Sequence, residues 1–150
     1  KTRYDKPRAY SELDRFIPKQ KRFDALSKCI IPLHLNGNHW ACAIVHMDRR
    51  PISFEYYDSL QGDVPRELFK TLRAWIEYKR PKIKVDKVNQ VHRIQGPEQI
   101  NGYDCGVFMA QFIKHYVLNL VRDEFHQADM PRLREEMKGE LQSGSLRPLT

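Results

Sequence analysis

Three successive stretches in the first half of the chain carry the patterning of β-strands. "CIIPLHL", from Cys29 to Leu35, is rich in β-formers, and Pro32 within it points to a sheet edge or a distortion because proline cannot donate to a ladder. "NGN" follows as a turn of the kind that closes a hairpin. In the return run "HWACAIVHM", Trp40, Cys42 and Ile44 fall on one face and His39, Ala41, Ala43 and Val45 on the other. "DRRP" ends that run, and "ISFEYYD" makes a third strand closing at Asp58 before the loop "SLQGD". Three sequential antiparallel strands are therefore expected.

Helical spacing then takes over. Through "PRELFKTLRAWIEYKR", Leu68, Leu72, Trp75, Ile76 and Lys79 recur on one face, with Asp63 as the expected cap and Pro65 in the first turn. Pro81 stops this helix, "KIKVDKVNQVHRI" reads as extended, and "QGPEQINGYD" as a loop. "CGVFMAQFIKHYVLNLV" is so apolar that it predicts a central, buried helix with Cys105 at its start. "ADMPRLREEMKGELQSG" has Asp129 as a candidate cap, Pro131 near the first turn and glycine beyond the end, the marks of a peripheral amphipathic helix. Residues 1–28 are polar and charged, and a helical turn or two is expected in "AYSELDRF".

Composition narrows the class. A chain of 150 residues that is 41% hydrophobic and 11% aromatic can bury one core, so a single domain over residues 1–150 is expected. No window approaches the roughly 18 unbroken apolar residues that a membrane span needs. The opening "KTRYDKPRAY" lacks the apolar block of a signal peptide. Cys29, Cys42 and Cys105 are too few and too unevenly spaced for a disulfide framework, and no C-x-x-C pair suggests zinc, so a reducing intracellular setting is expected. The net charge of +7 favours an acidic partner without choosing between nucleic acid and protein. "KRPKIK" reads as a solvated basic face, which makes nucleic acid the weaker choice.

Chemistry concentrates around Cys105. A thiol attacks as its thiolate, and a helix N-terminus with an imidazole nearby favours that anion. Gly102 and Gly106 leave room for a substrate backbone, and Asp104 stands between them, either at the substrate or as a helix cap. The bland reading is a cysteine packed as a small apolar residue. His39 is the strongest base because it opens a strand straight after a turn, with Trp40 beside it as a wall. His34, His46, His92, His115 and His126 are its rivals. Asp58, at the end of the following strand, is the candidate to fix the ring's tautomer, with Asp48 and Asp63 as competitors. Gln99, six positions before Cys105, can supply an amide to an oxyanion beside the Cys105 backbone N–H. Gln90, Gln95 and Asn101 stand near enough to be alternatives, and spacing alone does not choose.

Together these blocks resemble the ubiquitin-like-protein-specific cysteine proteases, the sentrin/SUMO protease family. "IPLHLNGNHWACAIV" is similar to the family's histidine block, "FEYYDSL" to its aspartate block, and "PEQINGYDCGVF" to its glutamine and cysteine block, in the same order. "FHQADMPRLREEM" resembles the closing helix of the SUMO-directed branch. The resemblance implies an α+β papain-like fold, with a mostly antiparallel sheet packed against the buried helix that starts at the nucleophile. It implies His39 as base and acid, Asp58 as its orienter, Gln99 as oxyanion donor and Cys105 as nucleophile. Trp40, with Gly102, Asp104 and Gly106, would line a narrow passage for a Gly-Gly tail, because any Cβ there would meet its walls. It further implies hydrolysis after the terminal glycine of a modifier, SUMO rather than NEDD8, with no metal or organic cofactor. A monomer resident in the nucleus, at its envelope or in the cytoplasm is also implied. Nothing in residues 1–28 matches the Trp-Leu-Asn-Asp-like stretch with which family catalytic domains begin, so that portion of the domain is expected to be absent.

Overall fold

The structure is a computed structural model and describes residues 23–120 and 125–146. The helical turn expected in "AYSELDRF" lies outside the described residues. The strands are β1 (Lys28–Leu35), β2 (His39–His46), β3 (Ser53–Tyr57) and β4 (His92–Arg93), hydrogen-bonded in the order β1-β2-β3-β4. The helices are α1 (Arg66–Lys79), α2 (Cys105–Val117) and α3 (Met130–Ser143). The fold class is α+β, as the sequence predicts.

The connections explain the strand directions. Residues 36–38 and 47–52 are far too short for the dozen or so residues of a parallel crossover, so β1, β2 and β3 run antiparallel in succession. Asn36 and Gly37 both take positive φ, 52° and 76°, which is the backbone of a hairpin turn whose twist matches its strands. β4 is different: it pairs parallel to β3, with Glu55 opposite His92 and Tyr56 opposite Arg93. The long connection through α1 makes that possible. β2 is buried without interruption from Ala41 to His46, so its alternation does not separate an inner from an outer face.

The chain divides into two compact units. The first holds residues 23–29, 44–54 and 65–91. Its helix α1 buries Phe69, Leu72, Trp75 and Ile76, while Leu68 is only half-buried. Phe69 meets Phe54 edge to face at 5.7 Å, and Trp75 meets Phe23 at 5.0 Å. Asp63 does not cap this helix. Pro65 holds the N-cap position with no side-chain hydrogen bond, and Asp63 is exposed. Of the expected extended run, only Val85 bridges, to Ile52, before a 3₁₀ turn at Val88–Gln90.

The second unit holds residues 30–43, 55–64, 92–120 and 125–146. Here α2 is buried on several sides, through Val107, Phe108, Gln111, Phe112 and His115. Phe112 stacks on Tyr57 with ring centroids 3.8 Å apart and planes within 10°, which fixes α2 against the end of β3. The helix stops earlier than its apolar run. Asn119 turns to φ 54°, its N–H donates to the Tyr116 carbonyl at 3.4 Å and that of Leu120 to the His115 carbonyl at 2.9 Å. This closes the last turn in a Schellman arrangement. α3 begins with Pro131 in its first turn and ends at Gly144, φ 67°. Asp129 makes no capping bond into α3; its carboxylate accepts from the His126 N–H instead, at 2.8 Å. Lys114 of α2 and Glu140 of α3 form an ion pair of 2.5 Å, both side chains less than a tenth exposed.

Candidate active site

His39 is the first residue of β2, directly after the tight turn, and Asp58 is the first residue beyond β3. Because the two strands are neighbours, their ends bring the side chains together. His39 Nε2 lies 2.7 Å from Asp58 Oδ1, with the carboxylate 4% and the imidazole 16% exposed. The Asp58 carboxylate is further held by its own loop. Oδ1 accepts from the Leu60 N–H at 2.8 Å, and Oδ2 accepts from the Gly62 N–H and the Tyr56 hydroxyl, each at 3.1 Å. Burial, and then the Asp58 charge beside it, push the Tyr56 phenol above its ordinary range, so it remains a donor. With Nε2–H directed at Asp58, the neutral ring presents a lone pair at Nδ1. Such an imidazole can take a proton.

Gln99 is buried and approaches from the loop before α2. Its backbone N–H donates to the Ser59 carbonyl at 3.0 Å, and its Oε1 accepts from the Ser59 hydroxyl at 2.6 Å. Its Nε2 donates to the Asn101 carbonyl at 2.5 Å. An amide nitrogen has two protons, so one N–H remains for another acceptor. The loop is held to the sheet by a further bond, from the Tyr57 hydroxyl to the Pro97 carbonyl at 2.7 Å. Gln95 is exposed, and Gln90 turns back on the Lys87 N–H in the other unit.

Cys105 opens α2 and is 5% exposed. Asp104 before it makes no capping bond. It is 3% exposed, and its carboxylate accepts from Asn101 Nδ2 and Gln127 Nε2, each at 2.7 Å, and from the Arg134 guanidinium. Burial alone would raise this carboxyl, but the bonds from Asn101, Arg134 and Gln127, with the Arg134 charge, bring it below its ordinary value. Asn101 Oδ1 also accepts the Asp104 N–H at 3.1 Å, and Gln127 Oε1 accepts the Ile100 N–H at 2.9 Å. The loop that presents the thiol is thus tied down by side chains from both its flanks. The Asp104 side chain bears on that loop and not on open space.

Trp40, 38% exposed, stacks on His34 at 4.5 Å. A Cβ at Gly106 would lie 3.5 Å from Trp40 Cδ1, and one at Gly102 would meet nothing within 4 Å. The indole therefore stands over the first turn of α2. Neither glycine is demanded by the chain's own packing.

Of the rivals, His34 stacks on Trp40 and Asn101 belongs to the loop that holds Gln99 and Asp104, while the others lie elsewhere. Asp48, Asp63, His92 and His126 are exposed, His46 belongs to the other unit, and His115 packs against the Phe125 ring at 5.2 Å. Among the described residues no group of three His, Cys, Asp or Glu side chains is placed to hold a metal ion. No helix there is long and apolar enough to cross a membrane. A cavity of about 770 Å³ between Arg73, Glu77, Lys84 and Asn89 lies within the first unit and is lined by none of His39, Asp58, Gln99 and Cys105.

The sequence did not single out Ser59, Tyr56, Gly62, Gln127 or Arg134 as parts of the site. Ser59 and Tyr56 flank the aspartate in "FEYYDSL", and Gln127 and Arg134 fall inside "FHQADMPRLREEM", but their roles depend on partners up to 40 positions away.

Comparison with known proteins gives one consistent answer. The model of the Ulp1 protease family, C-terminal catalytic domain, matches residues 2–149. A sentrin-specific protease of Caenorhabditis elegans is 31% identical over 148 residues, covering 93% of this chain and 20% of that protein. Ubiquitin-like-specific protease 1A of Arabidopsis thaliana is 33% identical over 118 residues, 76% of this chain and 23% of the relative. The chain spans about a fifth of the length of these relatives. Among solved structures, the C-terminal Ulp1 protease domain in complex with Smt3, the yeast ortholog of SUMO, aligns with a TM-score of 0.74 at 24% identity, covering 92% of this chain and 62% of that one.

Proposed function

Because the chain belongs to the Ulp1 protease family, we propose that it is a cysteine protease cleaving after the terminal Gly-Gly of a ubiquitin-like modifier, SUMO foremost. The observation that carries this reading is the part-buried His39–Asp58 contact of 2.7 Å at the strand ends, which prepares an imidazole for proton transfer in the unit that holds Cys105. In the proposed reaction His39 Nδ1 takes the Cys105 thiol proton, and the thiolate attacks the carbonyl carbon of the last glycine. The free N–H of Gln99 and the Cys105 backbone N–H stabilise the resulting oxyanion. Collapse breaks the bond to the departing amine, which receives its proton from His39, and leaves a thioester. Water, deprotonated by His39, then releases the modifier's carboxylate and frees the thiol.

Trp40, Gly102 and Gly106 would bound the passage for the glycine tail, where extra side-chain volume on either partner would collide. Asp104 serves that passage indirectly, through the loop it anchors. The preference for SUMO is supported by the names of the relatives and by the Smt3 complex of the structural neighbour. Residence in the nucleus or at its envelope follows from the family resemblance.

The test is turnover of SUMO and NEDD8 carrying a fluorogenic amide after Gly-Gly, measured for the protein and for Cys105→Ala. We expect SUMO to be cleaved faster and the alanine variant to be inactive. Cleavage by the alanine variant would remove Cys105 from its role, and faster release from NEDD8 would overturn the modifier assignment.

A further inference from the structure

The bonds around Gln99 raise a question of orientation. A glutamine amide has nearly the same shape with its oxygen and nitrogen exchanged, so the neighbours decide which atom faces where. A carbonyl can only accept, so the Asn101 carbonyl at 2.5 Å selects Nε2 on its side. That leaves Oε1 facing Ser59. A hydroxyl can give or take, and with an oxygen opposite it must give; the 2.6 Å contact is the result. Ser59 is 2% exposed and Gln99 lies 40 positions further along the chain, so this is a tertiary bond rather than a turn formed in passing. The Ser59 carbonyl adds a second tether, to the Gln99 N–H at 3.0 Å.

We infer that Ser59 is a positioning residue for the oxyanion donor, its hydroxyl locking the Gln99 amide so that the second Nε2 proton faces the reacting carbonyl. Asp58 aims the imidazole and the next residue aims the amide, so two adjacent residues set both polar arms of the reaction. The inference rests on the assignment of Gln99 as oxyanion donor.

Ser59→Ala removes the hydroxyl and leaves the backbone tether. Loss of one oxyanion donor lowers kcat by about 10²–10³, so a donor present but loosened should cost roughly ten- to hundredfold in kcat, with KM little changed. Ser59→Thr, which keeps the hydroxyl, should recover most of the rate. The pH dependence of kcat/KM should keep its shape, since the His39–Asp58 contact is untouched; a general collapse of the site would distort it. In the double variant with Gln99→Ala, the serine change should add almost nothing further. The side-chain amide of Gln99 gives a second readout by ¹⁵N-resolved NMR, independent of turnover. Its two protons should hold distinct, slowly exchanging resonances in the parent and in Ser59→Thr, and draw together in Ser59→Ala.

Ser59→Ala with normal kcat and unchanged Gln99 resonances would overturn the inference, as would full additivity with Gln99→Ala. If Gln99→Ala itself turns over normally, the oxyanion assignment fails instead, and the resonances alone judge whether Ser59 orients the amide.

Discussion

Gly62→Ala is a small change that the geometry makes expensive. A Cβ at position 62 would stand 2.6 Å from Asp58 Oδ2, where 3.4 Å is the near edge of ordinary contact, so the two must part by about 0.8 Å. Neither side can give freely. The Gly62 N–H holds Asp58 Oδ2 at 3.1 Å, its carbonyl accepts the Arg93 guanidinium, and the carboxylate is fixed by His39, Leu60 and Tyr56. If the carboxylate yields, the 2.7 Å contact to His39 stretches or swings out of line. A misplacement of about 1 Å in a catalytic arrangement costs around a hundredfold in rate, so we expect kcat/KM to fall by roughly 10- to 100-fold. If the loop yields, a bond to a buried carboxylate is lost, worth about 1.5–3 kcal/mol. For a chain of this size that lowers Tm by roughly 3–12 °C. Steady-state turnover of a Gly-Gly-linked fluorogenic reporter reads the first cost and calorimetry the second. A variant with parental turnover and parental Tm would refute the reasoning, because it would mean that the Asp58 loop is not held as tightly as its hydrogen bonds imply.

Asp104 should contribute to the loss of stability in acid. Its folded proton affinity is lowered, chiefly by Asn101, Arg134 and Gln127 against the opposing effect of burial. Below the unfolded value of about 3.9 the unfolded chain therefore binds more protons, and stability drops as pH falls towards the folded value; above it the contribution is whole. Asp104→Asn should flatten that acid limb and cost roughly 1–3 kcal/mol at neutral pH, read by denaturant midpoints across pH; an unchanged limb would contradict the network. The cysteines should differ in reactivity. Burial pushes the Cys42 thiol up to about 12 and raises Cys29, with Arg80 partly offsetting the latter, so alkylation of the native protein at pH 8 should spare Cys42, and the proposed nucleophile Cys105 should react before it. Mass-spectrometric labelling that found Cys42 modified as fast as Cys105 would contradict that order.

Much of this architecture was legible because it rests on local rules. The Asn36–Gly37 turn fixes the hairpin that exposes His39 at a strand start, and the apolar run after Cys105 marks the helix that begins there. Local rules fail where a distant partner wins. Asp63 is a good capping residue by composition, yet Pro65 holds the N-cap of α1, and the helix buries Phe69 more fully than Leu68, because Phe54 waits on that side. The apolar run past Val117 stays favourable to a helix by hydropathy, but Asn119 in the left-handed region ends it. The two-residue strand β4 has no period to detect. The same limit hid the parts of the site that hold other parts. Asp58 could be proposed from its place at a strand end, whereas Ser59 gains meaning only when the fold sets Gln99 opposite it. Arg134 likewise reads as an exposed helix charge until Asp104 is found beside it.

The central claim is that Cys105 is the nucleophile and His39 its base. Incubating the protein with SUMO that carries an electrophile in place of its terminal carboxylate, followed by peptide mass spectrometry, tests it most directly. The account predicts one covalent adduct, on the Cys105 sulfur, formed much more slowly in His39→Ala. An adduct on Cys29, no adduct at all, or equal capture by His39→Ala would contradict it.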